Sequence, residues 1–235
     1  MVGMEDPGRP VLFLDIDNCL YPPNLGIFKL MKSRIHEYGR ELGLDGDSVE
    51  ETCTTYLRDY GLTIRGLMKH HNIDPAGFNE KVDGTLPIEE IIKPNPLLRS
   101  MIESVEARVW AFTNAGLDHA RRVLKSLGVE DLFEGVTYCD YMEPDFPCKP
   151  ERRAYEKAME EAGVRDASLC YFADDSLINV QAALGLGWTA VHVAKNRTGC
   201  EAAIGVGDKG TVECCHISTI LELPAALPLL FGRKP

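Results

Sequence analysis

Two pairs of aspartates, far apart in the sequence, each follow a short apolar run. Asp15 and Asp17 follow the run VLFL, and Asp174 and Asp175 end the run LCYFADD. Carboxylates at the end of an apolar run are costly to bury unless a cation compensates their charge. Oxygen ligands of this kind suit an octahedral divalent cation, and Mg²⁺ is the preferred one. The pattern therefore predicts a Mg²⁺ site at which these carboxylates meet.

Such a site would carry groups suited to phosphoryl transfer. An ionised carboxylate such as Asp15 can attack phosphorus, and Asp17, two positions on, can carry the proton of the leaving group. Lys149, in the stretch CKPE, and the hydroxyl of Thr113 can stabilise the phosphoryl oxygens. Taken singly, a D-x-D pair is usually a turn, a Thr-Asn after a strand is usually a helix cap, and a Lys before a Pro is usually on the surface. The order and context of all four favour the chemical interpretation.

The elements that would position these residues alternate regularly along the chain. Short apolar runs that end in polar residues predict buried strands in RPVLFLD, EARVWAFTN, ASLCYFADD and GWTAVHV, with a weaker fifth in GVTYCD. Amphipathic spacing predicts helices in LDHARRVLKSLG, in SLINVQAALGLG and in PERRAYEKAMEEAG, the last with Pro150 at its first helical position. This alternation predicts an α/β fold, a Rossmann-like parallel sheet with helices on both faces and functional residues at the carboxyl ends of the strands.

One long stretch, from about residue 24 to residue 92, interrupts this alternation. It contains no convincing strand, and its apolar residues follow helical spacing in three successive stripes. The stretch KPNP closes it, because two prolines favour an extended return. A helical insertion directly after the first strand predicts a cap, residues 24–92, that closes over a substrate, with the α/β catalytic core at 10–23 and 93–235. A helical subdomain that only enlarges the core is the alternative.

Composition and charge narrow the class of protein. A chain of 235 residues suits one large domain or a core domain with an insertion. The formal net charge of −11 argues against nucleic-acid partners, which need a basic surface, but a local cationic site can still bind a small anion. No apolar run approaches the roughly 20 residues that a membrane span requires, and the acidic N-terminus is unlike a secretion signal. Eight scattered cysteines favour a reducing compartment, and we expect a cytoplasmic protein, with a nuclear location left open.

Four short motifs, in order, resemble those of the haloacid-dehalogenase superfamily of phosphohydrolases. DIDNCLY resembles the first motif, TN at 113–114 the second, CKP at 148–150 the third and DDSLIN at 174–179 the fourth. Within the superfamily the chain is most similar to the pyrimidine 5′-nucleotidases of fungi and related plant phosphatases. The stretches YGLTIRGL, GTLPIEEIIKPNPLLR, FTNAGLDHARRVLKSLGVEDLFEGVTYCD and HISTILELPAALPLLF carry this closer similarity. The resemblance extends over nearly the whole chain from Val11.

This resemblance implies a role for each matched position. Asp15 would attack phosphorus and form an aspartyl-phosphate, while Asp17 would protonate the leaving alcohol and then activate water. Asp15, the backbone carbonyl of Asp17, and Asp174 would hold Mg²⁺. Thr113 and Lys149 would stabilise the phosphoryl oxygens in the transition state.

Further positions are implied as supporting or substrate-binding residues. Asp175 would act through water or orient Lys149. The remaining supporting positions are Asn18, Asn114, Ser176, Asn179 and, in the cap, Arg65. Two residues depart from the pattern: Cys19 stands where the family usually has Thr, and Asp83 stands where relatives often carry His. The first departure removes a hydroxyl near the nucleophile, and the second bears on the substrate specificity implied by the branch.

The sequence thus predicts a Mg²⁺-dependent phosphomonoesterase that acts through an aspartyl-phosphate intermediate. Its expected substrates are nucleoside 5′-monophosphates, pyrimidine before purine, and its expected partners are small phosphorylated metabolites, without nucleic acid or membrane. We expect a monomer or a weak homodimer. One alternative is a phosphatase for another metabolite, such as pyridoxine 5′-phosphate, a sugar phosphate or lysophosphatidate. The other is a weakly active regulatory or binding protein, against which the intact set of Asp15, Asp17, Lys149 and Asp174 speaks.

Overall fold

The structure, a computed structural model, describes residues 8–46, 48–195, 204–205, 211–212 and 214–232. Its strands are β1 (Val11–Leu14), β2 (Arg108–Phe112), β3 (Gly135–Thr137), β4 (Cys170–Asp174), β5 (Thr189–Val193), β6 (Ile204–Gly205), β7 (Thr211–Val212) and β8 (Cys215–Ile217). Its helices are α1 (Ile27–Glu41), α2 (Val49–Tyr60), α3 (Thr63–His70), α4 (Pro75–Lys81), α5 (Ile88–Ile91), α6 (Pro96–Glu103), α7 (Leu117–Leu127), α8 (Arg152–Glu161), α9 (Leu177–Gly185) and α10 (Leu223–Ala226). None of the described helices is long and apolar enough to cross a membrane.

Six of the strands form one parallel sheet in the order β3-β2-β1-β4-β5-β8. Strand β1 lies inside the sheet, paired with β2 on one side and β4 on the other, and its four residues are fully buried. The chain leaves β1 towards β2 and β3 and returns on the opposite side at β4. The carboxyl ends of β1 and β4 therefore form the switch point at which open α/β sheets bind ligands.

Helices cover both faces of this sheet, so the predicted fold class is confirmed. Alternate side chains of β1 point to opposite faces, because successive residues of a strand do so. Leu12 and Leu14 pack with α6 and α7, whereas Phe13 packs with α8 and α9. Burial of each of these side chains contributes about 2 kcal/mol to folding, before the entropy cost of ordering the chain. The core thus fixes the strand that carries Asp15 at its end.

The five helices α1 to α5 all lie between β1 and β2. A separate apolar cluster joins α1, α3 and α4 to the segment between β3 and α8, through residues such as Tyr38, Leu67, Phe78 and Phe146. Helix α3 lies very close to α2, since a Cβ on Gly66 would stand 2.3 Å from the Tyr56 ring.

Helix α5 packs differently from α1, α3 and α4. Its Ile88, with the flanking Leu86 and Ile92, belongs to the apolar cluster on the α6 and α7 face of the sheet. The assignment of residues 24–92 to a cap stays a prediction, and the packing associates the last part of that range with the sheet.

Candidate active site

Lys149 lies at the centre of the residues that the strand ends bring together. Its ammonium group donates to Asp15 Oδ1 at 2.8 Å, to Asp174 Oδ2 at 2.7 Å and to the Phe112 carbonyl at 2.6 Å. These three hydrogen bonds use all three of its protons. Asp15 and Asp174, rather than Asp175, therefore orient Lys149. The side chain is 1% exposed, and although burial alone would lower its pKa, Asp15 and Asp174 raise it, so Lys149 is a fixed cation.

Asn114 holds the backbone of Lys149 in place. Its side-chain oxygen accepts from Lys149 N at 2.7 Å, and its side-chain nitrogen donates to Lys149 O at 2.9 Å. The following helix, α8, begins only at Arg152, after the N-cap residue Glu151. The prediction that Pro150 occupies the first helical position is therefore wrong. Pro150 instead follows a cis peptide bond.

The turn into α9 fixes Asp174. Its Oδ1 accepts from Ser176 N at 2.7 Å, and the Asn179 amide donates to both carboxylate oxygens at 3.1 Å. Asp174 is fully buried and Asn179 nearly so. Ser176 therefore contributes through its backbone and Asn179 through its side chain, and both supporting positions contact the same carboxylate.

A cluster of three carboxylates fits a divalent cation. Oxygens of Asp15, Asp174 and Asp175 lie within 4.8 Å of one another, and Lys149 is the cation bonded to two of them. Burial raises the pKa of Asp15, with Asp174 and Asp175 adding to the effect of burial and Lys149 opposing it. Burial, then Asp174, raises the pKa of Asp175 to about 7. Both pKa values are raised although Lys149 opposes the effect, and hard oxygen donors such as these carboxylates suit Mg²⁺.

Asp17 lies outside this cluster and has different partners. Its Oδ1 accepts from His119 Nε2 at 2.8 Å and from the Tyr21 hydroxyl at 2.5 Å. Burial would raise the pKa of Asp17, but His119 and then Tyr21 hold it below its ordinary value. The Asp17 side chain remains 24% exposed, which leaves it accessible from the cavity, whereas the His119 side chain is fully buried.

Two of these partners, His119 and Tyr21, were not predicted from the sequence. His119 falls at helical spacing with Val123 and Leu127, both of which are buried. A histidine on the apolar stripe of an amphipathic helix is a signal for a buried polar group. Tyr21 is four residues beyond Asp17 in a nonhelical turn, and its spacing alone carries no comparable signal.

The remaining core positions surround the nucleophile. Thr113 accepts from Ala115 N at 3.0 Å through its hydroxyl oxygen, and within the described part of the chain its hydroxyl proton has no acceptor. Asn18 has a φ of 59°, in the left-handed region, and turns the chain directly after Asp17. The Cys19 thiol is buried and makes a weak hydrogen bond to the Ala173 carbonyl at 3.6 Å. The thiol of Cys19 thus links the turn after β1 to β4, at the position where the family usually has the hydroxyl of Thr.

These groups open into a cavity of about 890 Å³ between the sheet edge and the helices α1 to α4. The helices contribute mainly apolar side chains to its wall, among them Ile27, Phe28, Met31 and Phe78. The cavity therefore combines a charged floor with an apolar wall, as in sites that bind one ionic group and one less polar group of a small ligand.

Arg65 lines this cavity but is already engaged by protein atoms. Its Nη1 donates to the Tyr60 carbonyl at 3.0 Å and to Cys148 Sγ at 3.2 Å, and it also pairs with Glu151. These contacts link α3 to the residues on either side of Lys149 and Pro150. Direct contact between Arg65 and a substrate stays a prediction.

Sequence comparison supplies the family. The profile of haloacid dehalogenase-like hydrolases matches residues 10–187, which is most of the chain. The chain belongs to the haloacid dehalogenase-like hydrolase family. The match includes β1, β2 and β4 and all the residues that surround Lys149, so the predicted resemblance to this superfamily is confirmed.

Individual known proteins are similar to the chain over most of its length. Phosphate metabolism protein 8 of Saccharomyces cerevisiae is 33% identical over 233 residues, which cover 93% of this chain and 73% of that protein. Among solved structures, the HAD phosphatase of Thermococcus onnurineus has a TM-score of 0.53 at 23% identity and covers 93% of this chain and 97% of its own. L-2-haloacid dehalogenase of Xanthobacter autotrophicus has a TM-score of 0.57 at 13% identity and covers 96% and 100%. This hydrolase fold is therefore common to a phosphatase and a dehalogenase, and the side chains must decide the chemistry.

Proposed function

We propose that this hydrolase cleaves phosphomonoesters through a covalent intermediate on Asp15. The observation that carries the proposal is the contrast between two aspartates separated by one residue. Asp15 is bonded to Lys149 inside a carboxylate cluster, whereas Asp17 is bonded to His119 and Tyr21 outside it. A reaction that forms and then hydrolyses a phosphoryl intermediate needs a nucleophile and a separate proton carrier, and two carboxylates in different environments supply them.

In the first half-reaction an oxygen of Asp15 forms a bond to phosphorus and the bond from phosphorus to the leaving oxygen breaks. The proton that His119 and Asp17 share in their hydrogen bond passes through Asp17 to that oxygen, so an alcohol departs. In the second half-reaction Asp17 takes a proton from water, whose oxygen attacks phosphorus and releases phosphate and the Asp15 carboxylate. Lys149 through its positive charge, and the Thr113 hydroxyl through its proton, stabilise the phosphoryl oxygens in both steps.

A Mg²⁺ ion fits this proposal. Asp15, Asp174 and the backbone carbonyl of Asp17 would hold it, with Asp175 acting through water. The ion would offset the negative charge that gathers when a phosphate approaches three carboxylates. The carboxylate cluster supports this assignment, because burial and then mutual repulsion raise the pKa values of Asp15 and Asp175, and a bound cation would offset both effects.

Nucleoside 5′-monophosphates, pyrimidine before purine, are the proposed substrates. The name of the yeast relative supports phosphate metabolism in general. The apolar wall formed by α1 to α4 favours a leaving group with an apolar face, such as a pyrimidine ring. The same wall supports lysophosphatidate, with its acyl chain, as the second candidate. Residues 24–92 would act as the cap that selects the leaving group, and Arg65 is its proposed polar contact.

A substrate panel tests this assignment. We expect kcat/KM for UMP or CMP to exceed that for AMP by at least about tenfold, which corresponds to roughly 1.4 kcal/mol in transition-state binding. Pyridoxine 5′-phosphate and lysophosphatidate are measured under the same conditions. If either of the last two is the best substrate, the nucleotidase assignment fails and the phosphatase proposal stands. If no phosphomonoester is hydrolysed, the phosphatase proposal fails as well, and a regulatory or binding role replaces it.

The cellular setting belongs to the same proposal. We infer a cytoplasmic enzyme, with a nuclear location left open, that acts as a monomer or weak homodimer on small phosphorylated metabolites. Fractionation of cells and light scattering of the purified chain measure the two properties.

A further inference from the structure

Asp83 is a buried carboxylate with an unsatisfied oxygen. The residue is 4% exposed, and its Oδ2 has no hydrogen-bond partner among the described residues. His119 has a similar defect, since its Nδ1 is buried and also lacks a partner there. A buried polar atom without a partner costs about 1 to 3 kcal/mol. Two such atoms with complementary chemistry, next to the Asp17 carboxylate, point to a functional arrangement.

Both residues lie at the start of α7. Asp83 Oδ2 stands 3.7 Å from the place that a Cβ on Gly116 would occupy, and Gly116 directly precedes that helix. His119 is in the first turn of the helix. The two side chains also act on each other electrostatically: His119 is the largest influence that opposes the effect of burial on the pKa of Asp83, and Asp83 raises the pKa of His119.

Arg122 holds Asp83 against α7. Its guanidinium donates to the Asp83 carbonyl at 3.0 Å and to the Leu86 carbonyl at 2.7 Å, and it pairs with Glu89 at 2.7 Å. The segment between α4 and α5 is therefore clamped to the helix that carries His119. This clamp fixes where the Asp83 side chain can lie, because the carboxylate extends from the clamped backbone.

We propose that Asp83 and His119 are positioning residues for Asp17, in a buried row of carboxylate, imidazole and carboxylate. His119 holds Asp17 through Nε2, and Asp83 fixes the imidazole ring by sharing a proton with Nδ1. A hydrogen bond between Asp83 Oδ2 and His119 Nδ1 would satisfy both unpartnered atoms. The inference rests on the proposed function, in which Asp17 is the proton carrier. Because Asp83 follows α4, the row also connects the proton carrier to the helical insertion.

Leaving groups of different basicity separate this role from a merely structural one. An alkoxide leaving group needs a proton from Asp17, whereas p-nitrophenolate departs without one. General acid catalysis contributes about 10²- to 10⁴-fold, so misplacing the acid should cost part of that range on alkyl phosphates only. The quantity to measure is kcat/KM, which reports the steps up to departure of the leaving group.

The experiment compares wild type with His119→Leu, His119→Gln and Asp83→Asn on p-nitrophenyl phosphate, phenyl phosphate and n-butyl phosphate in the presence of Mg²⁺. We expect His119→Leu and Asp83→Asn to lose about 10- to 100-fold on n-butyl phosphate and less than about threefold on p-nitrophenyl phosphate. His119→Gln should recover part of the loss, since its amide can still donate to Asp17. Asp118→Asn, an exposed charge change in the same helical turn, is the matched control and should leave all three rates unchanged.

An equal loss on all three substrates in Asp83→Asn would overturn the inference, as would the absence of any loss on n-butyl phosphate. Asp83→Asn is nearly isosteric and keeps the test available if His119→Leu does not fold. Wild type that hydrolyses none of the three substrates would contradict the proposed function itself, which is a different outcome. The two failures are therefore distinguishable in one data set.

Discussion

The candidate site has two sides, one around Asp15 and one around Asp17, and their surroundings differ although the two residues are close in the chain. On one side Asp15, Asp174 and Asp175 gather around Lys149, and burial with mutual repulsion raises the pKa of Asp15. On the other side Asp17 faces a buried histidine that holds its pKa low. Only Ile16 separates Asp15 from Asp17. The surroundings, supplied by distant parts of the chain, therefore give two identical side chains different partners and opposite pKa shifts.

Replacing Asp15 by Asn should have the largest effect on activity. An amide cannot attack phosphorus and is a poorer ligand for a cation, so we expect kcat to fall on the order of 10⁴-fold or more, by analogy with the removal of other covalent nucleophiles. Steady-state kinetics on the best phosphomonoester measure the loss. Asp118→Asn serves as the matched control for the charge change, because Asp118 is exposed on α7. A variant that keeps a tenth of wild-type activity would contradict the proposal that Asp15, unlike Asp17, is the nucleophile.

Removing divalent cations should act mainly on the carboxylate cluster around Asp15. We expect excess chelator to abolish turnover and Mg²⁺ to restore it, because Lys149 pairs with Asp15 and Asp174 and, among the described residues, has no ion pair with the third carboxylate, Asp175. Ca²⁺ should bind without supporting activity, since it accepts six to eight ligands in loose geometry and would engage both oxygens of Asp15. Activity assays after metal exchange measure this. Full activity in chelator would show that Lys149 alone suffices for the cluster.

Replacing Asp83 by Asn should make the protein more stable at neutral pH and leave the cation site unchanged. Burial raises the pKa of Asp83 from 3.8 to about 6, so the folded state favours the protonated carboxyl. Below about pH 4 the carboxyl is protonated in both the folded and the unfolded state, and wild type has no penalty. As the pH rises through about 6, the buried carboxyl must ionise, and the free energy of unfolding of wild type falls by up to about 3 kcal/mol. Asn carries no such penalty.

Thermal unfolding between pH 5 and pH 8 measures this effect. The Tm of Asp83→Asn minus that of wild type should increase as the pH rises. A Tm difference that stays constant with pH would mean that folding does not raise the pKa of Asp83. If Asp83→Asn is more stable at pH 8 and also less active on alkyl phosphates, Asp83 is retained for function at a cost in stability.

Much of the fold and of the carboxylate side of the site was predictable from the sequence. Apolar runs that end in polar residues indicate buried strands, so β1, β2 and β4 were found together with Asp15 and Asp174. The strand β8 was not among the five predicted from apolar runs, because its three residues, CHI, carry little apolar signal. The short helices α4 and α5 were missed because they hold at most two turns.

The Asp17 side of the site was less predictable. His119 reaches Asp17 across 102 positions of sequence, and only the packing of α7 brings them together. Asp83 was recognised as a departure from the family pattern, but its burial depends on the Arg122 clamp. Arg65 was predicted as a substrate contact from its place in the helical insertion, and its contacts with Tyr60, Cys148 and Glu151 follow from how α3 meets the segment before α8. Contacts of this kind depend on tertiary packing, which local patterns do not encode.

Trapping of the intermediate tests the central claim most directly. Asp17→Asn removes the base for the second half-reaction while leaving Asp15 and Lys149 in place. We expect this variant, mixed with p-nitrophenyl phosphate and Mg²⁺ and quenched in acid, to carry one added phosphoryl group on the peptide that contains Asp15. The Asp15→Asn/Asp17→Asn double variant should carry none. A phosphoryl group on any other residue, or turnover of p-nitrophenyl phosphate by wild type with no covalent species in Asp17→Asn, would contradict the account.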